Sequence, residues 1–335
     1  MVAVAVGIGG SAMACVAVEP NLQTKAPTVV VPAHVTKPEP VARRRAIDGM
    51  PLAEGAVQPS YYAVMIDNLT DARPQAGPSK ASLVIEAPVE GGITRFLAIF
   101  SSDAQVRRIG PVRSARPYYV DWAKEYDALY AHVGGSPEAL RYLQDGGSRD
   151  FNEYANGRYF WRDASRKAPH QVFTSTDLLG KAIAGSAGIG SAPDQWRFKD
   201  LPSMDARPKT AHDLLVDYGS LSYAVMWKYD QESGGYRRYQ GGRQQFEEGG
   251  QAVLAANIAI QFTDVVSLDE IDRKRVTTSG SGKAVVVRDG IAVAGTWKKS
   301  SGARTKFFDV SGKEVEFNAG TTWIEVVDND ATVSY

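Results

Sequence analysis

Charged side chains recur within the apolar stretches between residues 61 and 116, and they are the residues best suited to chemistry. Carboxylates and guanidinium groups stand beside or inside runs that otherwise predict buried strands: Asp67, Glu86, Glu90, Arg73, Arg95, Arg108, Arg113 and Arg116. A buried ion is costly unless it is paired and hydrogen-bonded. These groups must therefore pair with one another or face a ligand.

Two hypotheses account for this charged set. Arginine binds carboxylate and phosphate through two parallel hydrogen bonds. The first hypothesis is therefore a cleft for an anion or a glycan, in which Arg113 and Arg116 act as clamps. Arg95, Arg108 and Ser114 are its further candidate ligand-binding residues. The second hypothesis is an internal network of ion pairs that fixes the fold, and the sequence leaves both open.

The carboxylates also allow a catalytic hypothesis. Asp67 and Glu90 are candidates for the general acid and base of an envelope hydrolase. Glu86 and Glu90 share a face of an extended strand at about 13 Å. That separation is too large for a two-carboxylate glycosidase unless the chain bends at Pro88 and Gly91. No complete catalytic constellation is present, so hydrolysis stays the alternative.

The stretch His132–Ser136 predicts a second anion site. A strand that ends in Gly134 and Gly135 before a helix directs backbone N–H groups towards an anion. Ser136 suits the N-cap of that helix, which commits its hydroxyl to the backbone. His132 is then either a general base or a hydrogen-bonded strand histidine.

His170 is the last candidate ligand-binding residue. With His132 and either Asp67 or Glu90 it would offer a zinc-binding set. The His-Glu-x-x-His spacing of zinc peptidases does not occur in the sequence. We therefore predict neither a metal nor a cofactor.

The overall charge of the chain is balanced, with 38 Lys and Arg against 38 Asp and Glu in 335 residues. A nucleic-acid-binding protein needs a basic face to neutralise phosphates, so we predict no nucleic-acid partner. The apolar share of 44% is ample for a packed core.

Residues 1–18 predict an export leader. Their apolar run ends at Cys15, the single cysteine, just after the small-x-small pattern of residues 12–14. A cysteine at this position predicts a lipid anchor, although no Lys or Arg precedes the run and Ala12 stands where Leu is usual. We expect an extracytoplasmic protein, membrane-anchored or secreted. A cytosolic interaction protein is the alternative if the leader is spurious.

The rest of the chain divides into three parts by composition. Residues 19–57 are proline-rich and predict an extended tether. Residues 58–195 mix strand and helix patterns, and residues 196–335 are mostly strand-like. We predict an α+β fold with an antiparallel, β-rich C-terminal half.

The apolar patterns also predict individual elements. Strands are expected at 61–66, 83–87, 93–100, 128–133, 222–229, 256–262 and 321–327. A hairpin is expected at 284–297 with its turn at Asp289 and Gly290, and the segment 307–317 is expected to turn near Ser311 and Gly312. Helices are expected at 116–126, after Ser136 and after Thr174. The aromatic residues and arginines near 223–243 suit either sugar and peptide contact or core packing.

Several stretches together resemble the YerB-like family of predicted bacterial lipoproteins, whose two halves are each known as a domain of unknown function. They read AVMIDN at 63–68, ARPQ at 72–75, EAPVEGGITRFLAIF at 86–100, IGPVRSARPYYVDWA at 109–123, HVGGSPEAL at 132–140 and KAPHQVFTS at 167–175. The resemblance implies a three-layer sandwich of two sheets and a helical layer, held outside the membrane. It implies no particular reaction. We expect a binding module of the cell envelope, with a cell-wall component or a wall-synthesis protein as partner.

Overall fold

The computed structural model describes residues 43–184 and 195–335. In the first range the strands are β1 (Tyr61–Asp67), β2 (Leu83–Pro88), β3 (Thr94–Ser101), β4 (Leu129–His132), β5 (Arg149–Asn152), β6 (Trp161–Arg162) and β7 (Val172–Phe173). The α-helices are α1 (Pro117–Lys124), α2 (Pro137–Gln144), α3 (Glu153–Asn156) and α4 (Thr176–Ile183). Single 3₁₀ turns lie at Thr70–Ala72, Pro78–Lys80, Glu90–Gly92, Gly157–Tyr159 and Met204–Ala206.

The second range consists of strands apart from the last of those turns. They are β8 (Arg197–Lys199), β9 (Leu214–Val216), β10 (Val225–Asp230), β11 (Gly235–Gln240), β12 (Arg243–Gln244), β13 (Leu254–Ala255), β14 (Asn257–Thr263), β15 (Val265–Ser267), β16 (Lys274–Val276), β17 (Gly280–Arg288), β18 (Ile291–Lys299), β19 (Lys306–Asp309), β20 (Glu316–Asn318), β21 (Thr322–Asp328) and β22 (Val333–Ser334). Within the described ranges, no helix is long and apolar enough to cross a bilayer.

A ten-stranded mixed sheet forms the middle of the molecule. Its order is β19-β18-β17-β14-β21-β2-β3-β1-β4-β5. The strands of the two halves of the chain meet where β2 pairs in parallel with β21. Parallel pairing also joins β14 to β21 and β1 to β4, whereas β1 and β3 are antiparallel. One continuous sheet therefore runs through both halves.

A smaller sheet and a helical layer cover the two faces of this sheet. The smaller sheet has the order β12-β11-β10-β9-β22 with β13 beside β11, and its pairs are antiparallel. Successive residues of a strand point to opposite faces. Val64 and Ile66 accordingly pack towards the smaller sheet with Trp227, whereas Met65 packs towards α1 with Trp122. The predicted α+β three-layer sandwich is confirmed.

Local sequence patterns predicted several helices and turns correctly. Helix α1 lies within the predicted 116–126 and buries the predicted face, which includes Tyr119 and Trp122. The Ser136 hydroxyl accepts a hydrogen bond from the N–H of Ala139, so Ser136 is the N-cap of α2. The hairpin of β17 and β18 turns at Asp289 as expected.

Of two predictions about the C-terminal segment, one is confirmed and one is wrong. The chain turns near Ser311 and Gly312 as predicted, because Phe308 and Glu314 face each other in an antiparallel bridge. The following strand β20 then pairs in parallel with β8. The strand at 322–328 is not the last, since β22 follows it and pairs with β9. Both partners are distant in sequence, which a local pattern does not reveal.

The packed body begins before residue 58. Ile47 is fully buried in the core beneath the helical layer, and Asp48 is buried in an ion pair with Arg45. Residues 43–57 thus belong to the folded body and not to the predicted tether. The leader and the start of the tether lie outside the described residues, and the division at 195/196 stays a prediction.

Candidate functional site

A cluster of arginines and carboxylates gathers where β1 ends and the antiparallel β3 begins. Asp67 is the last residue of β1 and stands opposite Arg95 on β3. Glu90 follows β2 in a turn that contains Gly91 at φ 72°. Arg116 is the residue before α1, and the N–H of Arg113 bonds to the carbonyl of Met65 on β1. We call Asp67, Glu90, Arg95, Arg113 and Arg116 the arginine cluster.

Glu90 binds two of the arginines in this cluster. Nε of Arg116 donates to Oε2 of Glu90 at 2.9 Å, and a second Arg116 nitrogen contacts Oε1. Nη2 of Arg95 donates to Oε1 at 3.1 Å, and its Nη1 donates to the carbonyl of Ser114 at 3.2 Å. The side chain of Arg95 is 3% exposed, whereas that of Glu90 is 27% exposed. The cluster thus has a buried floor and an accessible edge.

Asp67 is shared by Arg113 and His170. Nε of Arg113 lies 2.8 Å from Oδ2 of Asp67, and Nδ1 of His170 lies 2.7 Å from the same oxygen. Oδ1 of Asp67 accepts from the N–H of Leu69 at 3.1 Å. The side chain of Arg113 is 21% exposed, so this pair also reaches the surface.

The arginine cluster carries an excess of positive charge. Its three guanidinium groups face two carboxylates. Burial lowers the pKa of Arg95, and the neighbouring charge of Arg116 lowers it further. Burial alone would raise the pKa of Glu90, but the hydrogen bond from Arg116 and the charge of Arg95 outweigh it and lower the pKa to about 2. A general acid needs a raised pKa, so Glu90 is unsuited to that role.

Glu86 faces away from this cluster, towards the smaller sheet. Its Oε1 accepts hydrogen bonds from Thr94 at 2.5 Å and from Asn68 at 3.2 Å, and its Oε2 contacts a guanidinium nitrogen of Arg238 on β11. Glu86 and Glu90 therefore bind different arginines and do not converge as a catalytic pair. We call Glu86, Arg238 and Glu325 the buried triad.

The buried triad is sealed between the two sheets. All three side chains are 0% exposed, and Nε of Arg238 lies 4.0 Å from Oε1 of Glu325 on β21. The guanidinium also lies over the rings of Phe96, Trp227 and Trp323, at 4.8 to 5.7 Å from their centroids.

Glu325 holds two further contacts in this sealed region. Trp227 Nε1 lies 2.8 Å from its Oε1, and the hydroxyl of Tyr218 lies 2.8 Å from its Oε2. Burial, and then the charge of Glu86, raise the pKa of Glu325 to about 8. Burial and the neighbouring Glu86 therefore favour the protonated form of Glu325 more strongly than in an exposed glutamate.

Arg108 belongs to a separate ion-pair group. Its Nε lies 2.5 Å from Oε2 of Glu248, another of its nitrogens contacts Asp163, and its guanidinium stacks 3.6 Å from the ring centroid of Phe173. Arg166 also pairs with Glu248. The structure therefore does not place Arg108 beside Arg113 and Arg116 as the sequence suggested.

Two backbone N–H groups of the His132–Ser136 stretch donate hydrogen bonds to other parts of the protein. The N–H of Gly134 donates to the side chain of Asn152, and the N–H of Ser136 donates to the carbonyl of Ala115. Gly135 lies beside Ala115 in an isolated bridge. These contacts occupy the N–H groups of Gly134 and Ser136, so the predicted anion cradle is not open there.

His132 is a buried strand histidine. Its Nδ1 lies 2.7 Å from the carbonyl of Gly134 and its Nε2 lies 2.7 Å from Asp150. His170 instead contacts Asp67, so the two histidines do not form one zinc site. In residues 43–184 and 195–335 no group of three or more His, Cys, Asp or Glu side chains could hold a metal.

Arg238 and Glu325 are the important residues that the sequence pattern did not single out as a pair. Arg238 alternates with Tyr236 and Gln240, and all three face inwards from β11. Glu325 interrupts the apolar strand β21. A charge within an apolar strand is the signal that identified Asp67 and Glu86, and it was equally present here.

The sequence matches two family models that together cover most of the described body. Residues 49–189 match "Protein of unknown function (DUF3048) N-terminal domain", and residues 214–324 match the corresponding C-terminal domain. The chain belongs to the DUF3048 family. The predicted resemblance to the YerB-like family is thereby confirmed.

This DUF3048 chain is similar to YerB of Bacillus subtilis in both sequence and structure. The chain is 33% identical over 287 residues to the protein named "Putative lipoprotein YerB". The aligned residues cover 84% of this chain and 85% of the relative. The crystal structure of YerB protein is similar with a TM-score of 0.77 and 31% identity, over 88% of this chain and all of that one. The DUF3048 fold described above is thus shared with a solved structure.

Proposed function

We propose that this DUF3048 protein is a binding module of the cell envelope that takes an anionic group of a cell-wall component at the arginine cluster. Its N-terminal leader directs export. The exported protein is then either anchored to the membrane through a lipid on Cys15 or secreted. The similarity to the protein named "Putative lipoprotein YerB" supports this location. A wall-synthesis protein that presents the same anion is included in the proposal.

The charge excess at an accessible position carries this proposal. Three guanidinium groups share two carboxylates, and the Arg113, Arg116 and Glu90 side chains are 21%, 12% and 27% exposed. An additional carboxylate or phosphate would balance the charge, and arginine can bind either group through paired hydrogen bonds. His170, beside Asp67, adds a polar group at the same edge.

Binding to purified cell-wall sacculi tests the proposal. We expect the full chain to sediment with sacculi and the double variant Arg113→Ala/Arg116→Ala to lose at least about tenfold in affinity, the usual worth of a charged hydrogen bond. Arg149→Ala is the matched control, because it removes a guanidinium from a surface pair with Asp127. Sacculi stripped of phosphate polymers separate a phosphate ligand from a wall carboxylate.

Thermal unfolding of each variant accompanies the binding assay, because Asp67 is 1% exposed and loses one partner in Arg113→Ala. A folded double variant that binds sacculi as well as the parent protein would exclude the arginine cluster as the site.

A further inference from the structure

A cavity of about 320 Å³ opens beside the buried triad, between the Thr70–Gln75 segment and the strands β11 and β12. Its volume is at the lower end of the range for small-molecule sites. Its wall carries the amides of Gln75, Gln240, Gln244 and Gln245. Among the described residues that line it, none has a carboxylate.

The floor of the cavity is held in place by hydrogen bonds. Gln75 Nε2 donates to Asn68 Oδ1 at 2.8 Å, and Gln245 Nε2 donates to Gln75 Oε1 at 3.1 Å. Arg238 of the buried triad donates to the amide oxygens of Gln240 and Gln245. These amides are therefore preorganised, which lowers the cost of binding a ligand.

Gln240 supplies a donor that the protein itself does not use. Its side chain is 6% exposed, and its Nε2 is buried without an acceptor among the described residues. Its Oε1 already accepts from Arg238, which fixes the orientation of the amide. An N–H group in this position favours a ligand that brings an oxygen acceptor.

The charges at the cavity have one sign. Arg73 donates to the carbonyls of Asn68 and Ser222 and, among the described residues, has no carboxylate in contact. Arg243 is exposed at the rim. Phe246, also at the rim, is 46% exposed. Guanidinium groups attract an anion, and an exposed ring packs against the apolar face of a sugar.

We propose that this cavity binds a saccharide that carries a carboxylate, with Arg243 facing the carboxylate, Gln240 and Gln244 facing hydroxyl or amide oxygens, and Phe246 under the ring. The site is separate from the arginine cluster and does not depend on the function proposed for it. A neutral sugar would leave Arg243 without its partner and would bind more weakly.

Two monosaccharides that differ in one acidic group test this proposal. Saturation-transfer NMR titrations of the full chain compare N-acetylmuramic acid with N-acetylglucosamine, which lacks the lactyl carboxylate. We expect the acidic sugar to bind about tenfold more tightly, the usual worth of a charge-assisted hydrogen bond. Arg243→Ala should remove this preference, whereas Phe246→Ala should weaken both sugars to the same degree.

Arg275→Ala is the matched control, because Arg275 is exposed on β16 and does not line the cavity. Equal affinity for the two sugars, or equal effects of Arg243→Ala and Arg275→Ala, would overturn the proposal. D-alanyl-D-alanine is the third probe. If it binds in an Arg243-dependent way and neither sugar binds, the ligand is a peptide carboxylate and the saccharide assignment fails.

Discussion

The arginine cluster and the buried triad, both in contact with the ten-stranded sheet, have opposite charge imbalances. The cluster sets three guanidinium groups against two carboxylates, and the triad sets one guanidinium against two carboxylates. The cluster reaches the surface through Arg113 and Glu90, whereas the triad is sealed between two sheets. Burial therefore decides how each imbalance is resolved.

In the sealed region only a proton can remove the excess charge, and the raised pKa of Glu325 is the result. At the accessible edge a ligand can do so, because a carboxylate or phosphate can approach Arg113 and Arg116 from solvent. The same kind of ion-pair network thus serves structure in one place and suits binding in the other.

Removal of Arg238 should have the largest effect on stability. Arg238→Met leaves Glu86 buried without its cationic partner, and the loss of one member of a buried ion pair costs about 3–5 kcal/mol. We expect the free energy of unfolding in urea to fall by that amount. Arg116→Met, beside the partly exposed Glu90, should cost about 1 kcal/mol or less. Equal losses in the two variants would contradict the distinction between the two regions.

Glu325 should make the stability of the protein depend on pH. Its folded-state pKa of about 8 is above that of the unfolded chain, so the folded state holds the extra proton between the two values. Its contribution to the free energy of unfolding is fully present below about pH 4.3, the ordinary pKa of a glutamate in an unfolded chain. It is lost as the pH rises towards 8, by about 1.4 kcal/mol per pH unit.

Glu325→Gln should abolish this part of the pH dependence, because an amide does not titrate and its oxygen can still accept a hydrogen bond from Tyr218 or Trp227. Urea unfolding at pH 5.5, 6.5, 7.5 and 8.5 measures this effect. With each increase in pH, the free energy of unfolding of the variant should rise relative to that of the parent protein. Parallel stability profiles would show that Glu325 is ionised in the folded state.

The sequence predicted where the strands of the large sheet lie better than it predicted which strands pair with each other. Residues 61–66 and 96–100 are continuous apolar runs, which suit a sheet covered on both faces, and β1 and β3 lie there. The position of β21 between β14 and β2 depends on parallel pairing across most of the chain. No local periodicity contains that information, and the pairing of β20 with β8 was missed for the same reason.

The candidate site was predictable in composition but not in arrangement. A charge in an apolar strand identified Asp67, Arg95 and Glu90, and these residues do meet. Glu86 is separated from them because successive strand residues point to opposite faces: Arg95 stands opposite Ala87, and Glu86 stands opposite Phe96. Arg108 has the same sequence signal but lies beside Asp163 and Glu248. Spacing along the chain does not distinguish these outcomes.

Glu90→Gln should have the smallest effect and gives the sharpest test of the comparison. The amide keeps a hydrogen-bond acceptor for Arg95 and Arg116 but increases the positive excess of the arginine cluster by one charge. One unit charge at about 4 Å is worth about 1 kcal/mol in water, so wall binding should tighten about fivefold.

The gain from Glu90→Gln should shrink as salt is added, because the charges at this edge are accessible to ions. Sedimentation with sacculi at 50 and 300 mM salt measures both effects. Glu314→Gln is the control, because Glu314 is also a partly buried acid and pairs with Lys306 outside the arginine cluster. Weaker binding would mean that Glu90 helps binding by orienting Arg95 and Arg116, and that this help outweighs the repulsion between its negative charge and an anionic ligand. The arginine cluster would then act through geometry and not through its charge excess.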